Sequence, residues 1–178
     1  MVQSRQPLLV VVDIQGNLYR AMDDRDNLLK NCRKLISGAK ILGLPVIVTE
    51  QNNIGATVPE ITELLPECPP IRKDSFSCCG EEGFLGALAG LAPQEIILCG
   101  IEAHVCVFQT AVDLLHRGCK VQVAADAVSS RTATNREIAL RRLEKTSGVL
   151  LTSTEMVLFE LLRTAADPRA RDLFKVIK

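Results

Sequence analysis

The sequence contains few aromatic residues and no excess of charge of either sign. It has no tryptophan and one tyrosine, and aromatic side chains make up only 3% of its 178 residues. Its 21 lysines and arginines are balanced by 21 aspartates and glutamates, which gives a formal net charge of zero. Proteins that bind nucleic acid usually present basic surfaces and, for single strands, aromatic stacking surfaces. We therefore expect no nucleic-acid partner.

Long hydrophobic runs are also absent. The apolar run Leu8–Val12 is broken by Asp13. It is too short for a membrane-spanning helix or for the apolar core of a secretory signal. We therefore expect no membrane partner.

The cysteines and histidines do not have the spacing of a disulfide framework or of a structural zinc site. The seven cysteines are an odd number without a C-x-x-C pair, and there are only two histidines. Disulfide frameworks need paired cysteines, and structural zinc sites need closely spaced Cys and His ligands. We expect reduced thiols, a cytoplasmic location, no metal site and no cofactor.

Short apolar segments alternate with segments of helical periodicity along the chain. Such segments are typical of strands buried on both faces, and their alternation with helices predicts βαβ units. We predict a single domain over residues 1–178, with a doubly wound, mostly parallel α/β sheet of six strands and helices on both faces. The predicted strands are Leu8–Val12, Pro45–Val48, Ile71–Asp74 (the weakest), Glu95–Cys99, Val121–Ala125 and Val149–Thr152. The predicted helices lie near Asp26–Leu42, Pro59–Leu64, Glu81–Leu91, His104–Arg117, Thr134–Thr146 and Ser153–Arg163, with Asp26 and Ser153 as N-caps.

Three polar or reactive residues follow predicted strands. Ligands of doubly wound sheets bind beyond the carboxyl ends of the strands, so a functional residue should lie there. Asp13 follows the first strand, Lys73 lies on or beside the weak third one, and Cys106 follows the fourth. Taken singly, each has an ordinary alternative as a turn aspartate, a solvated lysine and a small core residue. Together they predict an acid, a cation and a nucleophile in one crevice.

Cys106 stands where a buried strand turns into a helix. Unpaired N–H groups at a helix N-terminus favour an anion and can lower the pKa of a cysteine. The segment therefore predicts a reactive thiolate, with an inert core cysteine as the alternative.

The motifs VVDIQ, KDSFS and GIEAHVCVFQTAVDLL resemble, in order and spacing, the landmarks of the isochorismatase-like cysteine hydrolases. The likeness extends from about residue 7 to 163 and is closest to the isochorismatase domain-containing branch. It implies an Asp–Lys–Cys triad of Asp13, Lys73 and Cys106. It also implies a cis peptide at Ile101–Glu102 and an oxyanion hole formed by the N–H groups of Glu102 and Cys106.

The chain departs from the nicotinamidases of this family in one respect. They carry an Asp-x-His metal cluster after the second strand, whereas this chain has VIVTEQNN there and no histidine before His104. Nicotinamidase activity is therefore not expected, nor is isochorismate hydrolysis, because no cluster of basic residues lies near the landmarks.

Four further residues are candidates for the substrate pocket. They are Gln15, Phe76, Ala103 and His104. Each has a structural alternative, and for Gln15 this is a role in the turn after the first strand. A Cys–His dyad is not expected, because His104 and Cys106 diverge by about 200° on a helix.

These observations predict a metal-independent cysteine hydrolase that cleaves a C–N bond of a small amide or ureide through a thioester. A binding or scaffold protein on the same fold, or a thiol-based redox sensor using Cys106 or Cys78, is the alternative. The partner is expected to be a small-molecule substrate. We also expect a homo-oligomer, because Val107, Ala111 and Leu115 form an apolar helix face.

Overall fold

A six-stranded sheet forms the centre of the protein. The computed structural model describes residues 7–178. The strands have the order β3-β2-β1-β4-β5-β6, and every neighbouring pair is parallel. This confirms the predicted doubly wound α/β fold, with the sheet parallel throughout. The strands are β1 (Leu8–Val12), β2 (Val46–Gln51), β3 (Ile71–Lys73), β4 (Glu95–Ile101), β5 (Lys120–Ser129) and β6 (Val149–Thr152).

Helices cover both faces of this sheet. They are α1 (Gly16–Arg20), α2 (Arg25–Leu42), α3 (Pro59–Thr62), α4 (Glu82–Leu91), α5 (Phe108–His116), α6 (Ala133–Glu144), α7 (Thr154–Leu162) and α8 (Ala170–Ile177). A single 3₁₀ turn, Cys78–Gly80, precedes α4, and a π-helical turn, Ala103–Val107, precedes α5. Among residues 7–178, no helix is both long and apolar enough to cross a membrane.

The sequence of β1 explains why the molecule has a core on each face of the sheet. All five of its side chains are buried. Leu9 and Val11 pack with α2, α7 and α8, whereas the side chains that alternate with them pack with α4, α5 and α6. A strand covered on both faces must be apolar at every position, because successive side chains point to opposite faces.

Several local predictions differ from the structure. The helices α1 and α8, of five and eight residues, were not predicted. Asp26 is not an N-cap, because α2 begins at Arg25 and Asp26 lies in its first turn. The Ser153 hydroxyl caps α7 by accepting the N–H of Met156, as predicted.

The apolar face expected to join subunits is not a free surface. Val107 and Ala111 are fully buried within the protein itself, and Leu115 is partly buried against the same core. Their helical spacing reflects packing of α5 on the sheet. The predicted oligomer therefore has no support from this face.

The order of the strands fixes where a ligand can bind. β1 lies between β2 and β4. From β1 the chain builds the sheet toward one edge through β2 and β3, and it then returns to build the other edge through β4, β5 and β6. A crevice opens at such a reversal, beyond the carboxyl ends of the strands. Gly100 allows β4 to approach β1 closely there, because an added Cβ would lie 2.1 Å from the carbonyl oxygen of Val12.

Candidate active site

The three residues singled out from the sequence lie together at this crevice. Asp13 directly follows β1, Lys73 ends β3, and Cys106 lies in the π-helical turn after β4. Lys73 Nζ is 2.7 Å from Asp13 Oδ2 and 3.7 Å from Cys106 Sγ. All three residues are buried, with 6% of the surface of Cys106 exposed. One ammonium therefore contacts both a carboxylate and a thiol in a site largely closed to water.

The Asp13 carboxylate is oriented through both of its oxygens. Oδ1 accepts the hydroxyl of Thr49 at 2.8 Å. Oδ2 forms the ion pair with Lys73 and has no other polar partner among the residues that the structure describes. Asp13 also adopts a left-handed backbone conformation, with φ of 51°. Besides the ion pair, Oδ2 thus has acceptor capacity for a proton.

The Lys73 ammonium is held by three acceptors besides Asp13. These are Gln51 Oε1 at 2.7 Å and the carbonyl oxygens of Ser75 and Phe76, each at 3.1 Å. Burial, the largest single influence, lowers the pKa of Lys73, but the charge and hydrogen bond of Asp13, together with Cys106 and Cys78, raise it overall. The ammonium therefore stays charged at neutral pH.

The surroundings of Cys106 oppose the expected thiolate. Burial, and after it the negative charge of Asp13, raise the pKa of Cys106 to about 12, although Lys73 acts in the opposite direction. The turn itself also differs from an ordinary helix start, since the Glu102 carbonyl accepts the N–H groups of both Val105 and Val107. The thiol is therefore neutral at rest, and a base must remove its proton before it can attack.

The residues of the predicted oxyanion hole adjoin the thiol. The peptide between Ile101 and Glu102 is cis, as the resemblance implied. The Glu102 side chain turns away from the triad, because its Oε1 accepts the N–H of Arg131 at 3.2 Å and its Nε–H at 3.0 Å. Of the polar groups of Glu102, only its backbone N–H is therefore a candidate for the oxyanion hole. The roles of this N–H and of the Cys106 N–H stay predictions.

The four predicted pocket residues have different surroundings. Gln15 donates its amide to the carbonyls of Gln51 and Gly55 and accepts the Gln51 N–H, so its polar atoms are committed to the loop after β2. The ring of Phe76 is 55% exposed, and it is the Phe76 carbonyl that contacts Lys73.

The other two pocket candidates follow Glu102 directly. Ala103 is fully buried, so a larger side chain at this position would have to displace its neighbours. His104 Nδ1 lies 2.9 Å from Ser130 Oγ, which ties the ring to the end of β5 rather than to the thiol. Whether either residue contacts substrate stays a prediction.

Sequence reasoning missed two residues that support the triad. Thr49 and Gln51, which hold Asp13 and Lys73, lie at the carboxyl end of β2, where the rule of strand ends could have found them. Cys78, named from the sequence as a candidate redox thiol, is buried with its Sγ 3.8 Å from the Thr49 hydroxyl oxygen. Burial raises the pKa of the Cys78 thiol to about 11.

Residues 7–178 contain no cluster of metal ligands. No three His, Cys, Asp or Glu side chains in this range lie close enough together to hold a metal ion. The carboxylate of Asp13 is already paired with the Lys73 ammonium, which occupies the place a cation would take.

Comparison with known sequences identifies the family. Residues 7–155 match the isochorismatase domain. The chain is 38% identical to isochorismatase domain-containing protein 2 of Danio rerio, with 99% of this chain and 89% of that protein covered. It is 36% identical to the secreted isochorismatase effector Isc1 of Phytophthora sojae, with 96% and 84% covered.

Solved structures agree with this result. A structure described as the MAR1 ribonuclease of Caenorhabditis elegans superposes with a TM-score of 0.91 at 37% identity, covering 99% of this chain and 91% of that one. The YcaC gene product of Escherichia coli, described as an octameric hydrolase of unknown specificity, superposes with a TM-score of 0.90 at 25% identity and covers 98% and 89%. The family match over most of the chain and the near-full-length relatives together show that the chain belongs to the isochorismatase family of hydrolases.

Proposed function

We propose that the protein is a metal-independent cysteine hydrolase that cleaves the C–N bond of a small amide or ureide through a covalent thioester. The observation that carries the proposal is the position of the Lys73 ammonium, 2.7 Å from Asp13 Oδ2 and 3.7 Å from Cys106 Sγ. A base, a nucleophile and a fixed cation in one buried site are what acyl transfer through a cysteine requires.

The first step is attack on the substrate carbonyl. Asp13 accepts the thiol proton as Cys106 Sγ bonds to the carbonyl carbon, which puts a negative charge on the carbonyl oxygen. The backbone N–H groups of Glu102 and Cys106 bind this oxyanion. Because burial and the charge of Asp13 raise the pKa of Cys106, the thiol needs this base in order to attack at neutral pH.

The second and third steps release the products. The oxyanion collapses, the C–N bond breaks, and Asp13 gives its proton to the departing nitrogen, which leaves a thioester on Cys106. Asp13 then takes a proton from water as the water attacks the thioester carbonyl. Collapse of this second intermediate returns the proton to the Cys106 sulfur and frees the acid. Lys73 holds the Asp13 carboxylate in place throughout.

The proposal is tested by a screen of small amides and ureides, with intact-protein mass spectrometry to trap the acyl-enzyme. Cys106→Ala should abolish both turnover and the mass increase, and Cys119→Ala, which changes a cysteine away from the site, should keep both. Turnover by a folded Cys106→Ala variant would overturn the proposed mechanism.

RNA cleavage is a second candidate. It is favoured by the 37% identity to the structure described as a ribonuclease. The zero net charge and the scarcity of aromatic residues count against it. Adding a single-stranded RNA to the same screen decides between the two. RNA cleavage that co-purifies with the protein and survives Cys106→Ala would favour the ribonuclease.

Two further alternatives use the same site without hydrolysis. A scaffold protein would bind ligands in the screen but form no acyl-enzyme. A thiol-based redox sensor would form sulfenic acid or a disulfide at Cys106 or Cys78 under mild peroxide, which mass spectrometry detects. The buried position of both thiols favours the hydrolase over the sensor.

We further propose that residues 1–178 form one domain and that the protein is a cytoplasmic homo-oligomer. The family likeness to an octameric hydrolase supports the oligomer. The cysteine usage supports the cytoplasm, whereas one relative is described as a secreted effector. A tagged copy followed by cell fractionation tests the compartment.

A further inference from the structure

One carboxylate organises the loop that follows Lys73. Glu81 Oε1 accepts the N–H of Asp74 at 2.9 Å and the N–H of Ser75 at 3.1 Å. The Ser75 hydroxyl lies 2.9 Å from the same oxygen. A single oxygen at the end of the loop thus accepts two backbone N–H groups at its beginning and lies within hydrogen-bond distance of the Ser75 hydroxyl, which closes residues 74–81 into a compact unit.

The position of Glu81 makes this arrangement unusual. Glu81 directly precedes α4, where a polar side chain ordinarily accepts an N–H of its own helix. Its side chain makes no such bond and turns back to the loop instead. The N–H groups of Ser75 and Asp74 lower the pKa of Glu81, so the carboxylate is ionised at neutral pH.

The same loop supplies two of the acceptors that hold the Lys73 ammonium. The carbonyl oxygens of Ser75 and Phe76 each lie 3.1 Å from Lys73 Nζ. Ser75 is therefore held from two sides, with its N–H and hydroxyl bound to Glu81 and its carbonyl bound to Lys73. Any movement of Glu81 is passed to the ammonium through one residue.

Packing leaves this loop little freedom to adjust. The Ser75 hydroxyl lies 2.7 Å from the carbonyl oxygen of Ser77. A Cβ added at Gly80 would lie 2.4 Å from the oxygen of that hydroxyl. The loop is filled around Ser75, so the bonds from Glu81 determine where the Ser75 carbonyl points.

We infer that Glu81 is a positioning residue for Lys73, and through it for the proposed triad. The inference rests on the proposed function, because positioning Lys73 matters only if Cys106 is the nucleophile. Its test measures the reactivity of Cys106 and does not depend on that function. Without Glu81, the Ser75 and Phe76 carbonyls lose their fixed direction and the ammonium is held less closely to Cys106 Sγ. The developing negative charge on that sulfur is then less well stabilised.

The test is the rate at which iodoacetamide alkylates Cys106 at about pH 8, resolved from the other cysteines by peptide mass spectrometry. Glu81→Ala should slow this reaction about tenfold, within the loss of up to about 100-fold that a 1 Å misplacement by a distant mutation can cause. Glu81→Gln keeps an oxygen acceptor without the charge and should stay within about threefold of the unchanged protein. Glu82→Gln removes the neighbouring exposed carboxylate and should change nothing.

The direction of the effect separates positioning from simple loosening of the fold. Loosening would expose the buried sulfur and speed its alkylation, whereas loss of the ammonium slows it. A folded Glu81→Ala variant that reacts as fast as or faster than the unchanged protein would overturn the inference, as would an equal loss in Glu82→Gln or no rescue by Gln. If Glu81→Ala does not fold, Ser75→Ala replaces it in the test, because this variant removes the hydroxyl near Glu81. Its alkylation of Cys106 should be slowed by a smaller factor, and an unchanged rate would overturn the inference. The assay needs no substrate, so it stays informative even if Cys106→Ala retains turnover.

Discussion

At the scale of single residues, the site depends on one buried ammonium. Lys73 has four oxygen acceptors and contacts the thiol, and its charge lowers the pKa of Cys106 against burial and Asp13. A buried charge is tolerated only when it is paired, and removing one partner leaves the other uncompensated. The Asp13–Lys73 pair therefore bears on stability as well as chemistry.

Lys73→Met is expected to destabilise the protein by about 3–5 kcal/mol, because it leaves the Asp13 carboxylate buried without its counter-ion. The double variant Asp13→Asn with Lys73→Met should recover part of this loss, since neither charge remains. Urea unfolding measures both.

The matched control for this variant is Lys30→Met. Lys30 is exposed on α2, so its replacement should change stability by less than about 0.5 kcal/mol. The raised pKa of Lys73 also fixes the pH dependence: the stabilisation by the pair is complete below pH 10.5 and is lost as the pH rises through the raised value. A Lys73→Met protein as stable as the unchanged one would contradict this account.

The sequence predicts which residues form the site, but not their protonation states or their hydrogen bonds. Asp13, Lys73 and Cys106 were predictable because the ends of parallel strands converge and because the motifs resemble a family. The protonation state of Cys106 was not, since it depends on burial and on the distance to Asp13, which are tertiary properties. The contribution of Glu81 lies in hydrogen bonds within a loop, for which the sequence has no periodic signal.

At the scale of secondary-structure elements, close contact between β1 and β4 sets the shape of the crevice. Gly100 has φ of +115°, and an added Cβ would meet the backbone of Val12. Strands and long helices were predictable here because their apolar patterns repeat. The helices α1 and α8 were not, because short elements are decided by what they pack against.

Gly100→Ala is expected to destabilise the protein by at least about 3 kcal/mol, because both the backbone conformation and the space exclude a side chain. Gly86→Ala is the matched comparison. Gly86 lies within α4 with no atom near its added Cβ, so alanine should stabilise the helix by about 0.5–1 kcal/mol. Thermal or urea unfolding should therefore give opposite signs, and equal effects would contradict the packing described here.

At the scale of the whole molecule, strand order brings distant parts of the sequence to one place. Residues 13, 73 and 106 meet because β1 lies between β2 and β4. Alternation of strands and helices predicts the fold class but not which faces stay free. This is why the expected subunit face on α5 was found buried in the protein core.

The proposed homo-oligomer predicts a solution mass that is a multiple of 19.4 kDa. The exposed apolar side chains Leu150, Met156 and Phe159, away from the face first considered, are consistent with contacts to another copy. Sedimentation velocity at several concentrations measures the mass, and a strict monomer at every concentration would rule out the oligomer.

The proposed chemistry requires that Cys106 rests as a neutral thiol beside Asp13, its base. Ultraviolet difference titration of the protein against its Cys106→Ser variant measures this protonation state and requires no substrate. We expect no Cys106 thiolate signal below about pH 9, and an appearance at least about one pH unit earlier in Asp13→Asn, where the negative charge is gone. A thiolate that forms at or below the ordinary value of about 8.5, unchanged by Asp13→Asn, would contradict it.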